Sequence, residues 1–190
     1  MKSEINKTMT VCTDSATLAV FDLECLKHRL NADCDWWCRP FAEIEEVAEG
    51  KLTFISTAAD GVFKVRITTG DLTLYERDYA EERLGPLGLE VESGAVFVGK
   101  GERITGGGFA PNAGLCDGEG TFVDISPGKY DLIAYSIKWF DSPLWWNSDR
   151  NRPEDAPPDF VFVLMPRTSD FKRLTKEPRF TEVGDSFLFE

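Results

Sequence analysis

Histidine is nearly absent from this chain: His28 is the only one in 190 residues. A serine or cysteine nucleophile needs a neighbouring base, most often a histidine, to accept its proton. His28 lies between Lys27 and Arg29, a setting that indicates a solvated surface rather than a pocket. The scarcity of histidine therefore excludes most of the usual nucleophile–base arrangements of hydrolases.

Long hydrophobic runs are also missing. No stretch approaches the roughly 18 apolar residues that indicate a membrane-spanning helix. The apolar run Ala16–Phe21 is too short for the hydrophobic region of an export signal and is followed at once by Asp22. We therefore expect a cytoplasmic protein without signal peptide or membrane span. In that compartment the five cysteines, an odd number, are expected to be reduced thiols.

Positive charge is scarce as well, with 21 lysines and arginines against 33 acids and a net charge of −12. The electric field of this negative charge repels phosphate backbones and anionic membranes, and it attracts basic proteins and small cations. Neither nucleic acid nor membrane is therefore expected as a partner. Two readings of the acidity stay open: plain solubility, or an acidic surface that binds a basic protein.

Apolar residues are abundant, at 42% hydrophobic and 12% aromatic, so the chain has ample material for a core. Its length suits one domain over residues 1–190 with long loops at 99–120 and 141–158. Apolar patterning predicts strands at Thr17–Leu23 and Phe160–Met165 and a last strand at Val183–Phe189.

Helix signals are fewer. Pro40 is expected to open a helix over residues 41–49, with Phe41, Ile44 and Val47 on the buried face and Gly50 ending it. Thr73 and Glu76 have the spacing of a capping box, which predicts a charged helix that continues to Leu84.

Turn residues predict three hairpins. Asp60-Gly61 would join strands at 51–57 and 62–68, Ser93-Gly94 would join 89–92 to 95–98, and Ser126–Gly128 would join 121–125 to 129–139. Short strands with turn signals indicate a mainly β (α+β) fold. We expect an antiparallel β-sandwich or rolled sheet with two or three short helices.

Cofactor motifs are not convincing. The string Gly94–Gly101 resembles a phosphate-binding loop, but Gly101 stands where that loop needs Ser or Thr. Cysteines 25, 34 and 38 with His28 lack the paired C-x2-C spacing of zinc sites. We therefore expect neither a metal nor a cofactor, and no catalytic residue can be assigned.

Two Trp-Trp pairs, Trp36-Trp37 and Trp145-Trp146, are the more informative feature. Adjacent residues in an extended segment point in opposite directions, so one member of each pair is expected in the core and the other at the rim. The exposed member could anchor a partner or form a sugar-binding platform. The alternative is that these residues only close the ends of the sandwich.

Several segments resemble an uncharacterised family of small bacterial cytoplasmic proteins. The likeness rests on Ala16–Leu30, Asp35–Trp37, the Asp60-Gly61 turn, Leu72–Glu76, and the turns at Ser93-Gly94 and 127–130, and would cover most of residues 16–140. Some members of that family are of the kind encoded as immunity partners of polymorphic toxins. The resemblance implies a toxin-binding protein and brings no catalytic residues.

These observations favour a non-enzymatic acidic binding protein, an immunity-type inhibitor of a basic toxin. The predicted partner-binding residues are Trp36, Trp37, Asp141, Trp145, Trp146, Asp149, Glu154 and Asp155. The alternative is a hydrolase or small-ligand-binding protein with its site in the glycine-rich loop 99–120, using Asp117, Glu119 and Asp124. A structural subunit that forms homo-oligomers is a third class, and the oligomeric state is left open.

Overall fold

The computed structural model describes residues 4–31, 36–39, 41–106, 109–139, 156–168, 174 and 176–181. The strands are β1 Asn6–Thr13, β2 Thr17–Phe21, β3 Leu52–Ser56, β4 Gly61–Thr68, β5 Ala80–Val91, β6 Ala95–Lys100, β7 Gly120–Asp124, β8 Gly128–Ile137 and β9 Phe160–Pro166. The α-helices are α1 Lys27–Leu30, α2 Ala42–Glu49 and α3 Leu74–Asp78, with short 3-10 helices at Trp36–Cys38, Gly101–Ile104 and Pro111–Ala113.

The strands form two sheets that pack face to face. The five-stranded sheet has the order β1-β4-β9-β8-β5, and the four-stranded sheet has the order β3-β2-β6-β7. All pairs are antiparallel except β4–β9. Apolar side chains from both sheets fill the space between them, including Val20 and Val98 from one and Val65 and Phe162 from the other. The predicted antiparallel sandwich with short helices is confirmed.

The three predicted hairpins are wrong. β3 pairs with β2, whereas β4 pairs with β1 and β9, so the Asp60-Gly61 turn leads from one sheet to the other. The turns between β5 and β6 and between β7 and β8 do the same. At the β5–β6 turn the buried carboxylate of Asp22 accepts hydrogen bonds from the amides of Glu92 and Ser93, both at 2.6 Å. Turn residues reverse the direction of the chain, but they do not determine whether the next strand pairs with the preceding strand or joins the other sheet.

Helix α3 begins as predicted and ends early. The Thr73 hydroxyl accepts from the Glu76 amide, and the Glu76 carboxylate accepts from the Thr73 amide, so the capping box is present. Glu76 also forms a buried ion pair with Arg66, at 2.6 Å. The predicted continuation to Leu84 is wrong because residues from Ala80 pair with β8, where ladder hydrogen bonds and burial outweigh helix propensity.

Two further segments complete the sandwich. The edge strand β1 was not predicted, because its apolar residues are few: Val11 is buried, Met9 is partly buried, and most of the other residues are polar. Near the other end of the chain, Phe180 enters the core and stacks on Phe160 with ring centroids 5.1 Å apart. The strand predicted at Val183–Phe189 lies outside the described residues. Within the described part of the chain, no helix has the length and hydropathy to cross a membrane.

Candidate functional site

A layer of helices and turns covers the outer face of the four-stranded sheet. Its core joins residues of the sheet, such as Phe21 and Phe97, to residues of the covering segments, such as Leu30 and Val47. The segments that form this layer are α1, residues 36–39, α2, Gly101–Ile104 and residues around Ala110. Both the first Trp-Trp pair and the glycine-rich loop therefore belong to one layer.

The first tryptophan pair divides into a core member and a rim member. Trp36 is 2% exposed, and its indole N–H donates to the Ile104 carbonyl at 2.6 Å. The guanidinium of Arg29 lies over its ring, 5.2 Å from the centroid. Trp37 is half-buried and donates to the Thr105 hydroxyl at 3.0 Å. Trp36 therefore ties the layer together, and Trp37 is the member that reaches the surface.

Phe41 is the most unusual residue of the layer. The helix prediction placed it on the buried face of residues 41–49, but α2 begins at Ala42 and Phe41 precedes it. Its backbone is left-handed, with φ of 69°, and its side chain is 69% exposed. The left-handed turn directs the chain into α2 with Ala42, Glu46 and Val47 buried, which leaves the phenyl ring in solvent. The prediction for Phe41 is therefore wrong.

Phe109 is a second exposed phenylalanine that precedes a buried alanine of the layer. Its side chain is 68% exposed, and the next residue, Ala110, is buried in the layer core. Phe41 is likewise followed by the buried Ala42. Sequence reasoning missed both phenylalanines. The available signals were a phenylalanine next to Pro40 and another between glycines and Pro111, and each could equally have indicated a buried anchor.

Helix α2, which begins directly after Phe41, is rich in negative charge. It carries Glu43, Glu45, Glu46 and Glu49 and no basic residue. Arg29 is shared between Glu46, at 2.8 Å, and Glu45, at 2.9 Å, while Lys51 pairs with Glu49 at 2.7 Å. Arg29 thus offsets charge on the side of α2 that faces α1, and Lys51 offsets charge at the end of α2.

Two carboxylates of α2 each have an unsatisfied oxygen. Oε2 of Glu43 and Oε2 of Glu46 are buried and have no hydrogen-bond partner among the described residues, and Glu43 lies at the start of the helix. Burial raises the pKa of the Glu177 carboxyl, and the charge of Glu43 raises it further, while Arg179 opposes the shift. Because Arg179 lies 3.8 Å from Glu177, this ion pair is loose.

Glu119 is the acid of the glycine-rich loop that is bound by the loop and its flanking residues. The Cys116 amide donates to Glu119 at 2.7 Å, and Lys100 and Arg103 lie 3.1 and 3.3 Å from its carboxylate. The Cys116 amide is the main reason that the pKa of Glu119 is lowered, and the two bases add to the effect. Asp117 and Asp124 are exposed. Glu119 thus holds the loop in shape, and the hydrolase alternative stays a prediction.

Two of the residues weighed as zinc ligands, Cys25 and His28, are described, and each is bound to another group. The Cys25 thiol is buried and donates to the Glu90 carbonyl at 3.4 Å, and its pKa is raised to about 12, mainly by burial. His28 Nε2 lies 2.8 Å from Glu46. Cys34 and the Cys38 side chain lie outside the described residues. In the described ranges no group of three or more His, Cys, Asp or Glu residues could hold a metal ion.

The second set of predicted partner-binding residues cannot be placed. Asp141, Trp145, Trp146, Asp149, Glu154 and Asp155 all lie outside the described residues. The described candidates are therefore the aromatic residues of this layer that reach solvent, Trp37, Phe41 and Phe109, together with Glu43 and Glu45 of α2. We call these five residues the Phe41 surface.

Comparison with known proteins identifies structures with a similar fold and the family of this chain. The structure described as crocagin biosynthetic gene J has a TM-score of 0.52 at 16% identity, covering 87% of this chain and 98% of that one. That likeness concerns the fold alone. The structure of ComJ from Bacillus subtilis, described as an inhibitor of the DNA degrading activity of NucA, has a TM-score of 0.49 at 11% identity, covering 85% of this chain and 96% of that one.

Sequence comparison is more decisive. A search of curated proteins gave no match. A family model matches residues 5–138, most of the chain, and it describes a family of unknown function, as the resemblance of the sequence implied. The chain therefore belongs to the family of unknown function DUF6386.

Proposed function

We propose that this chain is a non-enzymatic binding protein of the inhibitor type, and that it binds a basic protein through the Phe41 surface. The observation that carries the proposal is Phe41 itself: a large apolar side chain held in solvent by a left-handed backbone, at the start of a helix whose charged residues are all acidic. Folding alone does not account for this combination.

The energetic argument compares Phe41 with the residues that would suit folding better. A bulky residue in the left-handed region costs on the order of 1–3 kcal/mol, whereas glycine adopts it freely. An exposed phenyl ring also forgoes the roughly 1.5–3 kcal/mol that full burial would contribute. Such strain is concentrated at ligand clamps and active sites, and aromatic side chains supply much of the energy at protein interfaces.

Charge indicates the chemistry of the partner. The excess of glutamates on α2 and the net charge of −12 attract a positively charged protein surface and repel an acidic one. A phenyl anchor inside an acidic field fits a partner with an apolar pocket ringed by Lys and Arg. A toxin enzyme whose active site is basic has this chemistry, and a protein that covered its active site would inhibit it.

The interface would extend beyond five residues. A standard interface buries about 800 Å² on each partner, more than three partly exposed rings supply. Asp141, Trp145, Trp146, Asp149, Glu154 and Asp155 stay proposed contacts from the sequence. Trp36 supports the surface from beneath, since its indole is buried and bonded to Ile104.

The test places a photo-crosslinking phenylalanine analogue at position 41 and, as a matched control, at position 74. Leu74 is 77% exposed and lies on α3, which packs on the opposite sheet. Crosslinking is performed in the source cells, and the protein captured at position 41 is then purified. Its affinity for the wild-type chain is measured by calorimetry at low and high salt.

We expect a basic protein to be captured at position 41 and not at position 74, with affinity that falls at high salt. Phe41→Ala should weaken binding by at least about tenfold, as loss of an aromatic anchor does, while Leu74→Ala should leave it unchanged. Capture of a second copy of the chain would instead make the surface a dimer interface. An acidic partner, or equal affinity for Phe41→Ala, would also overturn the proposal.

A further inference from the structure

Two thiols, Cys12 and Cys116, are free and exposed, and they lie on segments that contact each other. Cys12 belongs to the edge strand β1, and Cys116 belongs to the glycine-rich loop. The two residues are more than 100 positions apart in the sequence. The contact between their segments is therefore a product of the fold, and it is independent of the Phe41 surface.

A backbone hydrogen bond joins the two segments at this point. The Cys12 amide donates to the Gly118 carbonyl at 2.7 Å. A Cβ atom built on Gly118 would lie 3.5 Å from Cβ of Cys12, so the Cys12 side chain starts out toward the turn that contains Gly118. Cβ atoms of disulfide-bonded cysteines are about 3.8 Å apart, which shows how close the two backbones are.

Cys116 is the first residue of that turn. The Glu119 amide donates to the Cys116 carbonyl at 3.2 Å, and Gly118 has the positive φ, 80°, that the third position of such a turn requires. Cys116 is thus two residues from the position that Cys12 faces. Formation of a disulfide requires this exposed turn to rotate until the two sulfur atoms meet.

Cys25 provides an internal contrast. Its thiol is buried, and burial together with nearby acids raises its pKa to about 12. The thiolate is the reactive form of cysteine, so Cys25 is inert near neutral pH. Reactivity toward disulfides should therefore be found at Cys12 and Cys116 and not at Cys25.

We propose that Cys12 and Cys116 form a redox-active thiol pair that low-molecular-weight disulfides oxidise to an intramolecular disulfide. One thiolate attacks a sulfur of the small disulfide, forms a mixed disulfide and releases one small thiol. The second thiolate then attacks the cysteine sulfur of the mixed disulfide and releases the second small thiol. The two cysteines lose two protons and two electrons, and the small disulfide is reduced to two thiols.

The consequence is a covalent link between β1 and the turn at residues 116–119. In the reduced protein, the hydrogen bond from the Cys12 amide to the Gly118 carbonyl joins these two segments. The link would fix the end of the glycine-rich loop to the edge of the five-stranded sheet, and an added dithiol would reverse it.

The test treats the folded protein, with Cys34 and Cys38 replaced by serine, with glutathione disulfide. We expect the intact mass to fall by about 2 Da, the loss of two hydrogens, and peptide mapping to find Cys12 linked to Cys116. Cys12→Ser and Cys116→Ser should each give a stable glutathione adduct on the remaining thiol. Cys25→Ser should still form the link.

A second measurement guards against variants that fold poorly. In the reduced wild-type chain, N-ethylmaleimide should label Cys12 and Cys116 at least about tenfold faster than Cys25, because burial suppresses thiolate formation. After glutathione disulfide treatment both sites should resist the label until a dithiol is added. Glutathione adducts on Cys12 or Cys116 of the folded protein without a link between them would overturn the proposal, as would failure of both thiols to react.

Discussion

The start of α2 and the glycine-rich loop both carry carboxylates, but the carboxylates differ in how well hydrogen bonds and ion pairs satisfy them. In the loop, Glu119 is bound by an amide and two bases, and its pKa is lowered. Beside α2, Glu43 keeps a buried oxygen without a partner among the described residues, and the pKa of Glu177 is raised. Satisfied carboxylates maintain a shape, whereas unsatisfied ones beside an exposed aromatic residue are more informative about binding.

The structure gives several glycines of loop 99–120 a packing role, while the hydrolase alternative stays a prediction. A long loop rich in glycine is typical of a functional segment, and loop 99–120 was the basis of the hydrolase alternative. Its own contacts account for much of its composition: a Cβ atom on Gly99 would lie 2.3 Å from the Glu119 carbonyl oxygen, and one on Gly101 would lie 2.0 Å from the Thr17 hydroxyl. These glycines permit close backbone packing.

The largest expected effect comes from Trp36, which joins the two regions through its hydrogen bond to Ile104. Trp36→Ala should lower the free energy of unfolding by about 3–5 kcal/mol, because it removes a fully buried ring and leaves a cavity. Urea denaturation followed by circular dichroism measures the change. Trp37→Ala is the matched control and should cost clearly less, since Trp37 is half-buried. Equal losses would show that the core and rim members do not differ.

Next in size is Glu119. Glu119→Gln should lower the free energy of unfolding at pH 7 by about 1.5–3 kcal/mol, because it weakens charge-assisted bonds to Cys116, Lys100 and Arg103. A carboxyl whose pKa is lowered on folding stabilises the protein above its unfolded pKa, and this contribution is lost as the pH falls through the folded pKa. The difference between wild type and variant should therefore shrink on acidification. A constant difference from pH 7 to 3 would contradict the role assigned to Glu119.

Phe41→Gly should stabilise the folded chain by about 1 kcal/mol, since glycine relieves the left-handed strain at the expense of a more flexible unfolded state. Phe109→Gly is the matched control: its ring is equally exposed, but its backbone lacks a positive φ, so no stability is gained. Thermal unfolding measures both variants. A less stable Phe41→Gly would mean that the phenyl ring supports the fold, which would remove the main argument for a binding role.

Sequence reasoning recovered the parts of the fold that local chemistry determines. The apolar runs of β2 and β9 and the capping box of α3 were identified because burial and capping act within a few residues. Strand pairing was not, because the Asp60-Gly61 turn is compatible with a hairpin and with a crossing between sheets. At the site, the core and rim members of the Trp36-Trp37 pair were expected from the alternation of an extended segment, but the segment is a 3-10 helix, so the outcome agrees and the reason does not. The exposure of Phe41 depends on a left-handed residue that no pattern signals.

The smallest effect concerns Glu177, the counterpart of Glu119. A carboxyl whose pKa is raised on folding contributes stability that is present at low pH and is lost as the pH rises through the folded pKa. At pH 7 the charged Glu177 is therefore held against burial and the charge of Glu43. Glu177→Gln should stabilise the chain at pH 7 by less than about 1 kcal/mol, and the gain should vanish on acidification. The melting temperature across this range measures it.

The control for Glu177 is Glu45, which is exposed and bound to Arg29 at 2.9 Å. Glu45→Gln removes an ion pair without relieving burial, so it should lower stability slightly at pH 7, by a few tenths of a kcal/mol. A gain in stability for Glu177→Gln together with a loss for Glu45→Gln would confirm that burial makes the charged form of Glu177 unfavourable in the folded chain. If Glu177→Gln destabilised the chain at pH 7, the loose pair with Arg179 would outweigh the burial, and the contrast between the two acidic regions would disappear.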